Sequence, residues 1–431
     1  MNRWWLLACL LAALLAAGCD EGTTASWSVD GSSAQADDDT ADDDTTDDDA
    51  VDDDECALVA PAAYTMPDLS AGPSVVSFDD QLVFTVNGQR FYPLGFYNVP
   101  NDEAGLAAFK AEGFNIALTG PGCCSGSSLQ DQIDLLERAV DAEVMIIMHP
   151  WSSMESLLTR PDEELAAELD ARNDVGSLFG WYTFDEPGLY GTPLEVTHRA
   201  HQVLSDYDPN HLDGLVEQAM IPFTYYMDDC AMFMIDPYPV GWMPLSFVKA
   251  MIQDAQEAAA GTKPIVGVMQ AFSWDWIYGD TDVPFHPDAV EMRNMTWQYI
   301  VLGVSGIVAW NYGGDYAIRA QDEIWSAFLG DIAEINELMS VILGDNADLD
   351  LQADATFPET FDYVVKQDET ATWILSVSTN THSMDVTFDL SSLGTDLCIV
   401  DYSTGETFTQ DDDGKIEVEY DGYQVRVLEI R

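Results

Sequence analysis

Two adjacent acids, Asp185 and Glu186, close the run Gly-Trp-Tyr-Thr-Phe-Asp-Glu-Pro at positions 180–187, and they are the residues of this chain best placed for proton chemistry. Fed by Ser177, Leu178 and Phe179, the run reads as a buried strand that stops against Pro187. Carboxyls at the mouth of a strand cost solvation unless something pairs or uses them. One use is cleavage of a glycosidic bond, which needs one carboxyl that gives a proton and a second that attacks or activates water, held at a fixed separation. Glu186 is the expected donor, because Trp151, Trp181, Tyr182, Tyr238 and Trp310 would line the mouth and raise its pKa by desolvation. Asp185, one residue earlier on a pleated strand, is expected to point the other way and orient the backbone or a neighbouring strand, and it is also counted among the substrate-binding candidates.

The second carboxyl has several candidates. Asp236 ends another apolar run in Asp236-Pro237-Tyr238-Pro239, and Asp275 and Glu291 follow a third; Glu291 also reads as the first turn of a helix. Without any of them, the site would bind glycan but not cut it. Asn98, His149, Gln270 and Asn311 fall at expected strand ends and could hydrogen-bond sugar hydroxyls, while Trp151, Trp242, Trp274, Trp276 and Trp310 could stack on pyranose faces. His149 has no histidine partner at another strand end, so no metal site and no cofactor is expected.

The elements that would carry these residues alternate. Strands are expected at 93–98, 114–119, 144–148, 177–185, 212–216, 231–235, 264–269 and 306–309, with helical patterns between them. Eight such repeats make one (β/α)₈ barrel, in which chemistry sits at the C-terminal ends of the strands. Ahead of it, Asn87-Gly88 between apolar runs signals a hairpin that caps the barrel bottom. From about residue 350 the apolar period becomes two, which predicts a small antiparallel β-sandwich with Trp373 in its core.

Of 431 residues 77 are acidic and 15 basic, a net charge of -62 that argues against nucleic acid and anionic membrane surfaces as partners. Arg3 precedes the apolar run Trp4 to Ala17, and Leu15-Ala-Ala-Gly-Cys19 resembles the lipobox of bacterial lipoproteins. That resemblance implies a signal peptide over 1–18, a lipid anchor on Cys19 and a place in the cell envelope, at the periplasmic face or the cell surface. Four Asp triplets between 37 and 54 predict a disordered acidic tether over 19–73, leaving the barrel at 74–345 and the sandwich at 350–431. Once Cys9 leaves with the leader and Cys19 carries lipid, Cys56, Cys123, Cys124, Cys230 and Cys398 remain, and a bridge from Cys123 or Cys124 to Cys230 is expected.

The segment Val86-Asn-Gly-Gln-Arg-Phe-Tyr-Pro-Leu-Gly95, the Gly-Trp-Tyr-x-x-Asp-Glu-Pro strand, the Asp-Pro-Tyr-Pro element and the trailing sandwich together resemble clan A of the (β/α)₈ glycoside hydrolases, over about residues 78 to 431. The resemblance implies hydrolysis of oligo- or polysaccharide with Glu186 as acid/base. Asp185 stands where that clan has Asn. Its strand-seven nucleophile Glu is not matched, for the corresponding position is Gln270.

Overall fold

The Asn-Gly turn forms as its chemistry requires. In the computed structural model, strands β1 (Val76–Phe78), β2 (Phe84–Val86) and β3 (Gln89–Arg90) make an antiparallel sheet whose tight turn places Asn87 at φ 53° and Gly88 at φ 82°. Phe84 and Phe91 pack against Phe179 at ring-centroid distances of 5.2 and 5.7 Å. They thereby plug the N-terminal end of the barrel, and the opposite end is left for the site.

The structure describes residues 56–118, 128–151, 154–218, 220–275, 285–349 and 351–431. The leader, Cys19, the Asp triplets, Cys123, Cys124 and Trp276 lie outside them. Residues 58–431 form one unit. The last part of the expected tether is packed: Leu69 is buried, and the Tyr64 hydroxyl donates to the Arg90 carbonyl at 3.1 Å. Among the described residues no helix is long and apolar enough to cross a membrane.

Eight strands follow: β4 (Leu94–Tyr97), β5 (Ile116–Leu118), β6 (Met145–Met148), β7 (Leu178–Asp185), β8 (Leu212–Glu217), β9 (Met232–Ile235), β10 (Ile265–Gly267) and β11 (Gly306–Ala309). Neighbours pair in parallel, and β11 returns to β4 through Ile307 opposite Leu94, so the sheet closes into a barrel. Each strand alternates between two apolar layers. Ile116, Leu118, Met145, Ile147 and Val308 fill the interior, whereas Ala117, Ile146 and Ile307 meet the surrounding helices.

Those helices are α1 (Glu103–Ala111), α2 (Leu129–Asp141), α3 (Asp162–Asn173), the short α4 (Pro187–Tyr190), α5 (Leu194–Tyr207), α6 (Ser246–Ala259), α7 (Ala289–Val301) and α8 (Asp322–Glu337). Capping boxes start α2, through Ser128 and Asp131, and α7, through Asp288 and Glu291. The closing helix α8 ends at Glu337, and a second short helix covers Met339–Ile342.

The sandwich comprises a sheet of β12 (Gln352–Ala355), β15 (Met384–Asp389) and β18 (Lys415–Tyr420), and a sheet of β13 (Phe361–Gln367), β14 (Thr372–Ser378), β19 (Val425–Ile430), β16 (Ile399–Asp401) and β17 (Thr407–Phe408). Trp373 is fully buried and donates its indole N–H to Asp368 at 3.1 Å. The sandwich docks on α7: the Asn294 amide donates to the carbonyls of Ser378 and Tyr423, both at 2.8 Å, and Lys249 of α6 pairs with Asp362 at 2.8 Å.

Cys56 and Cys398 are disulfide-bonded, but Cys230 is a buried free thiol, so the bridge expected to it is not formed. Burial holds the Cys230 thiol well above its ordinary pKa.

Barrel closure leaves no room at Gly95, where a Cβ would lie 1.7 Å from the Ile116 carbonyl oxygen of the paired strand. Gly95→Ala is therefore expected to force β4 and β5 apart and to cost at least about 3 kcal/mol, read as a lowered denaturant midpoint.

Candidate active site

Strand β7 does not keep a regular pleat to its end, and that irregularity builds the site. Its pairing with β8 shifts register between Tyr182 and Asp185. Tyr182 points into the barrel, whereas Phe184 joins the outer core, so Asp185 comes back to the inner side. The Tyr182 hydroxyl donates to Asp185 Oδ1 at 2.6 Å. The expectation that Asp185 would point away is thus overturned: a bulge brings both consecutive acids to the mouth. Glu186 follows in a left-handed conformation, φ 40° and ψ 57°, with its N–H bonded to the Val216 carbonyl of β8 at 3.0 Å.

Asp236 follows the end of β9 and is almost fully enclosed. The carboxyls of Glu186 and Asp236, carried by strands two apart, lie close enough across the mouth for each to act on the other's ionisation, and Asp236 Oδ1 is buried without a hydrogen-bond partner. Burial pushes Glu186 up to about 7, with the charge of Asp185 adding to it, while hydrogen bonds from Asp236 and Gln218 act in the opposite direction. Burial and the Glu186 charge push Asp236 well above the usual carboxylate range. Two like-charged groups this close titrate as a pair that retains one proton at neutral pH.

A further acid, Glu217, joins them. It is the last residue of β8, is fully buried, and is pushed up to about 7 by burial and by the charges of Glu186 and Asp185. Sequence reasoning missed it because strand five was read only to Val216. The usable signal was the one that identified Asp236, the first acid after an apolar strand. Among the strongest influences on these four carboxyls there is no guanidinium or ammonium group. Asp185 is raised too: although solvent reaches its side chain, the loss of hydration in the crowded mouth outweighs the Tyr182 hydrogen bond.

Aromatic rings floor the mouth. Trp310 meets Tyr97 at 5.3 Å, Tyr97 meets Tyr182 at 5.7 Å, and His149 meets Tyr182 at 5.2 Å, all near edge-to-face. Tyr238 packs on Phe272 at 5.0 Å and on Trp274 at 6.2 Å. Burial lowers His149 to about 4, so it is a neutral imidazole at ordinary pH, and its buried Nε2 has no hydrogen-bond partner. The Arg172 guanidinium fixes the strand end that carries it by donating to the carbonyls of His149 at 3.1 Å and Pro150 at 2.6 Å. Asn311 Oδ1 and Trp151 Nε1 are likewise buried without hydrogen-bond partners, and Asn98, after β4, adopts φ 59°.

Other expected site residues are engaged elsewhere. Gln270 is fully buried; its Oε1 accepts from the Val240 N–H at 2.9 Å and its Nε2 donates to the Val240 carbonyl at 3.2 Å, so it clamps the loop after Asp236 instead of facing a ligand. Trp181 does not line the mouth. The strand alternation turns it outward, where its N–H donates to Asp208 at 2.6 Å under the Arg172 guanidinium. Glu291 accepts from the Asp288 N–H at 3.0 Å as the second half of the α7 capping box, and Asp275 accepts from the Ser273 hydroxyl at 2.7 Å in a local turn. Neither is among the groups that act on Glu186. Trp242 is 41% exposed and stacks on Phe285 at 5.3 Å. Among the described residues no group of three or more His, Cys, Asp or Glu is arranged to hold a metal ion.

The raised acids have a consequence for stability. Between the ordinary value near 4.5 and about 7, the unfolded chain ionises Glu186 while the folded chain keeps the proton, so folding loses stability as pH rises through 7. Glu186→Gln removes that loss. Its melting temperature is expected to exceed that of the wild type by about 2 °C at pH 8, with no gain at pH 4.

No protein-family model matches the chain, and no curated protein matches it in sequence. Solved structures match it in shape. A glycoside hydrolase of family 5 from Bacteroides vulgatus superposes with a TM-score of 0.56 at 13% identity, over 85% of this chain and 95% of the other. A second structure, described as a glycoside hydrolase, gives a TM-score of 0.56 at 13% identity, over 86% and 98%. The α-amylase of Geobacillus thermoleovorans, solved with acarbose, gives 0.50 at 11% identity, over 79% and 98%. What this chain shares with these glycoside hydrolases, at such identities, is the fold.

Proposed function

We propose that this protein is a glycoside hydrolase that cleaves O-glycosidic bonds in oligo- or polysaccharide, with Glu186 and Asp236 as its two acids. The observation that carries the reading is the pairing of these two mutually influencing carboxyls at the C-terminal mouth of a closed parallel barrel, both raised and Glu186 to about 7. A pair raised in this way still holds a proton near neutrality, as general acid catalysis requires, and it is the strand-four position of Glu186, not its pKa, that gives Glu186 the donor's role here. The glycoside hydrolase fold of the solved structures supports the same reading, and the acarbose bound to the α-amylase among them suggests a carbohydrate partner.

In the proposed reaction Asp236 attacks the anomeric carbon while Glu186 gives its proton to the departing oxygen, so one C–O bond forms as another breaks. Glu186, now ionised, takes a proton from water, and that water displaces Asp236 from the glycosyl ester, restoring both groups. His149, Tyr238, Trp310 and Asn311 are proposed to contact the sugar, with Asp185, Trp151 and Asn98 at the edge of the site. The proposed setting is the bacterial envelope, with a lipid on Cys19 and the acidic segment as a tether.

The test is turnover of a panel of neutral oligosaccharides and aryl glycosides by wild type, Glu186→Gln and Asp236→Asn. Wild-type kcat/KM is expected to fall above pH about 7, as the acid loses its proton. Glu186→Gln should lose at least about 10³-fold on oligosaccharides yet keep much of its rate on aryl glycosides whose leaving group needs no proton, whereas Asp236→Asn should lose both. The opposite pattern would exchange the two roles. Binding without turnover across the panel would replace hydrolysis by glycan capture.

A further inference from the structure

Glu217 has no part in the reaction as written, yet its placement ties it to the acid that does. Its Oε2 accepts the Gly188 N–H at 2.7 Å, two residues beyond Glu186. The fit is close: a Cβ on Gly188 would lie 2.7 Å from that oxygen and 2.8 Å from Ile221. The turn held in this way is the one that keeps Glu186 at φ 40°, a backbone state that residues with a side chain avoid unless their surroundings impose it. Its other oxygen, Oε1, is buried and has no hydrogen-bond partner.

The groups facing Glu217 come from three directions. Glu186 and Asp185 approach from the end of β7, Asp236 feels its charge from the end of β9, and Tyr226 feels it from the segment after β8. Among the described residues the donors to its carboxyl are the backbone N–H groups of Gly188 and Gln218, and the charges it faces are those of other acids.

Resting on the proposed hydrolase reading, we propose that Glu217 is the positioning residue of the site. Through Oε2 it holds the turn that presents Glu186 to Asp236, and through its charge it helps keep the shared proton on that pair. The two roles separate by substitution. Glu217→Gln preserves an oxygen for the Gly188 N–H and removes the charge. Glu217→Asp preserves the charge and withdraws it from Gly188 by one methylene.

The experiment titrates the full-length protein labelled with ¹³C at the glutamate carboxyls, with Glu186→Gln identifying the Glu186 resonance, and follows exchange of the Gly188 amide proton. Neither readout needs a substrate, so a failed hydrolase reading and a failed role for Glu217 are told apart. In Glu217→Gln the Glu186 midpoint should fall by about 0.5–1 pH unit, with the Gly188 amide still protected. In Glu217→Asp the midpoint should stay near that of the wild type, while Gly188 exchanges at least about tenfold faster. An unmoved Glu186 midpoint in Glu217→Gln overturns the electrostatic role, and an amide as protected in Glu217→Asp as in the wild type overturns the positioning role. If Glu217→Gln does not fold, Glu217→Ser is titrated in its place against the same expected fall in midpoint.

Discussion

Carboxyl groups crowded together without a cation are costly to bury, and the rest of this barrel is arranged around that cost. Four of them, Asp185, Glu186, Glu217 and Asp236, meet at the ends of three successive strands, β7, β8 and β9. Each is displaced toward its neutral form. Protonation takes the place of a counterion, and the hydrogen bonds that remain come from a tyrosine hydroxyl, the Gln218 side chain and backbone amides. The mouth can therefore store a proton near neutral pH and offer negative charge once that proton is given up. Both properties suit a reaction whose transition state is oxocarbenium-like.

Rigid surroundings keep the acids from separating. The phenylalanine plug at the far end fills the barrel interior, Arg172 fixes the strand end carrying His149, and Gln270 grips the loop that follows Asp236. These residues do the work of a supporting shell, holding the orientation of groups that would otherwise repel one another. Gln270 is informative here. The resemblance to clan A puts it where a nucleophile would stand, yet both ends of its amide are committed to the Val240 backbone, and the acid that acts on Glu186 from across the mouth, Asp236, comes from the adjacent strand.

The barrel was legible because its signal is long-range and redundant: apolar strands alternate with helical patterns eight times, and a misjudged end does not change the count. The place of Asp236 at a strand mouth was legible from a local signal, an acid directly after an apolar run. Local departures from regularity were not. Asp185 was expected to face away because strict alternation says so, and a bulge is a backbone event that no periodicity announces. Trp181 was grouped with the mouth by composition, although its position on the strand turns it to the helices. Glu217 was lost to a boundary error of one residue at the weakest strand. The bridge expected at Cys230 does not form, and its thiol is instead packed in the barrel's outer core.

The docking of the sandwich on α7 bears on how the chain is inherited. That helix is buried along nearly its whole length, and Asn294 at its centre spends its amide on two carbonyls from different strand ends of the sandwich. The same helix carries Tyr299, whose ring lies where a Cβ on Gly267 would sit, on the seventh barrel strand. One face of a single helix thus completes the barrel wall while another covers the sandwich-sheet face formed by Trp373, Leu375 and Val377. A duplication or exchange that moved the barrel without its trailing sheets would leave stripped carbonyl partners and an uncovered apolar face. The two architectures are separable by eye, but they form one heritable unit.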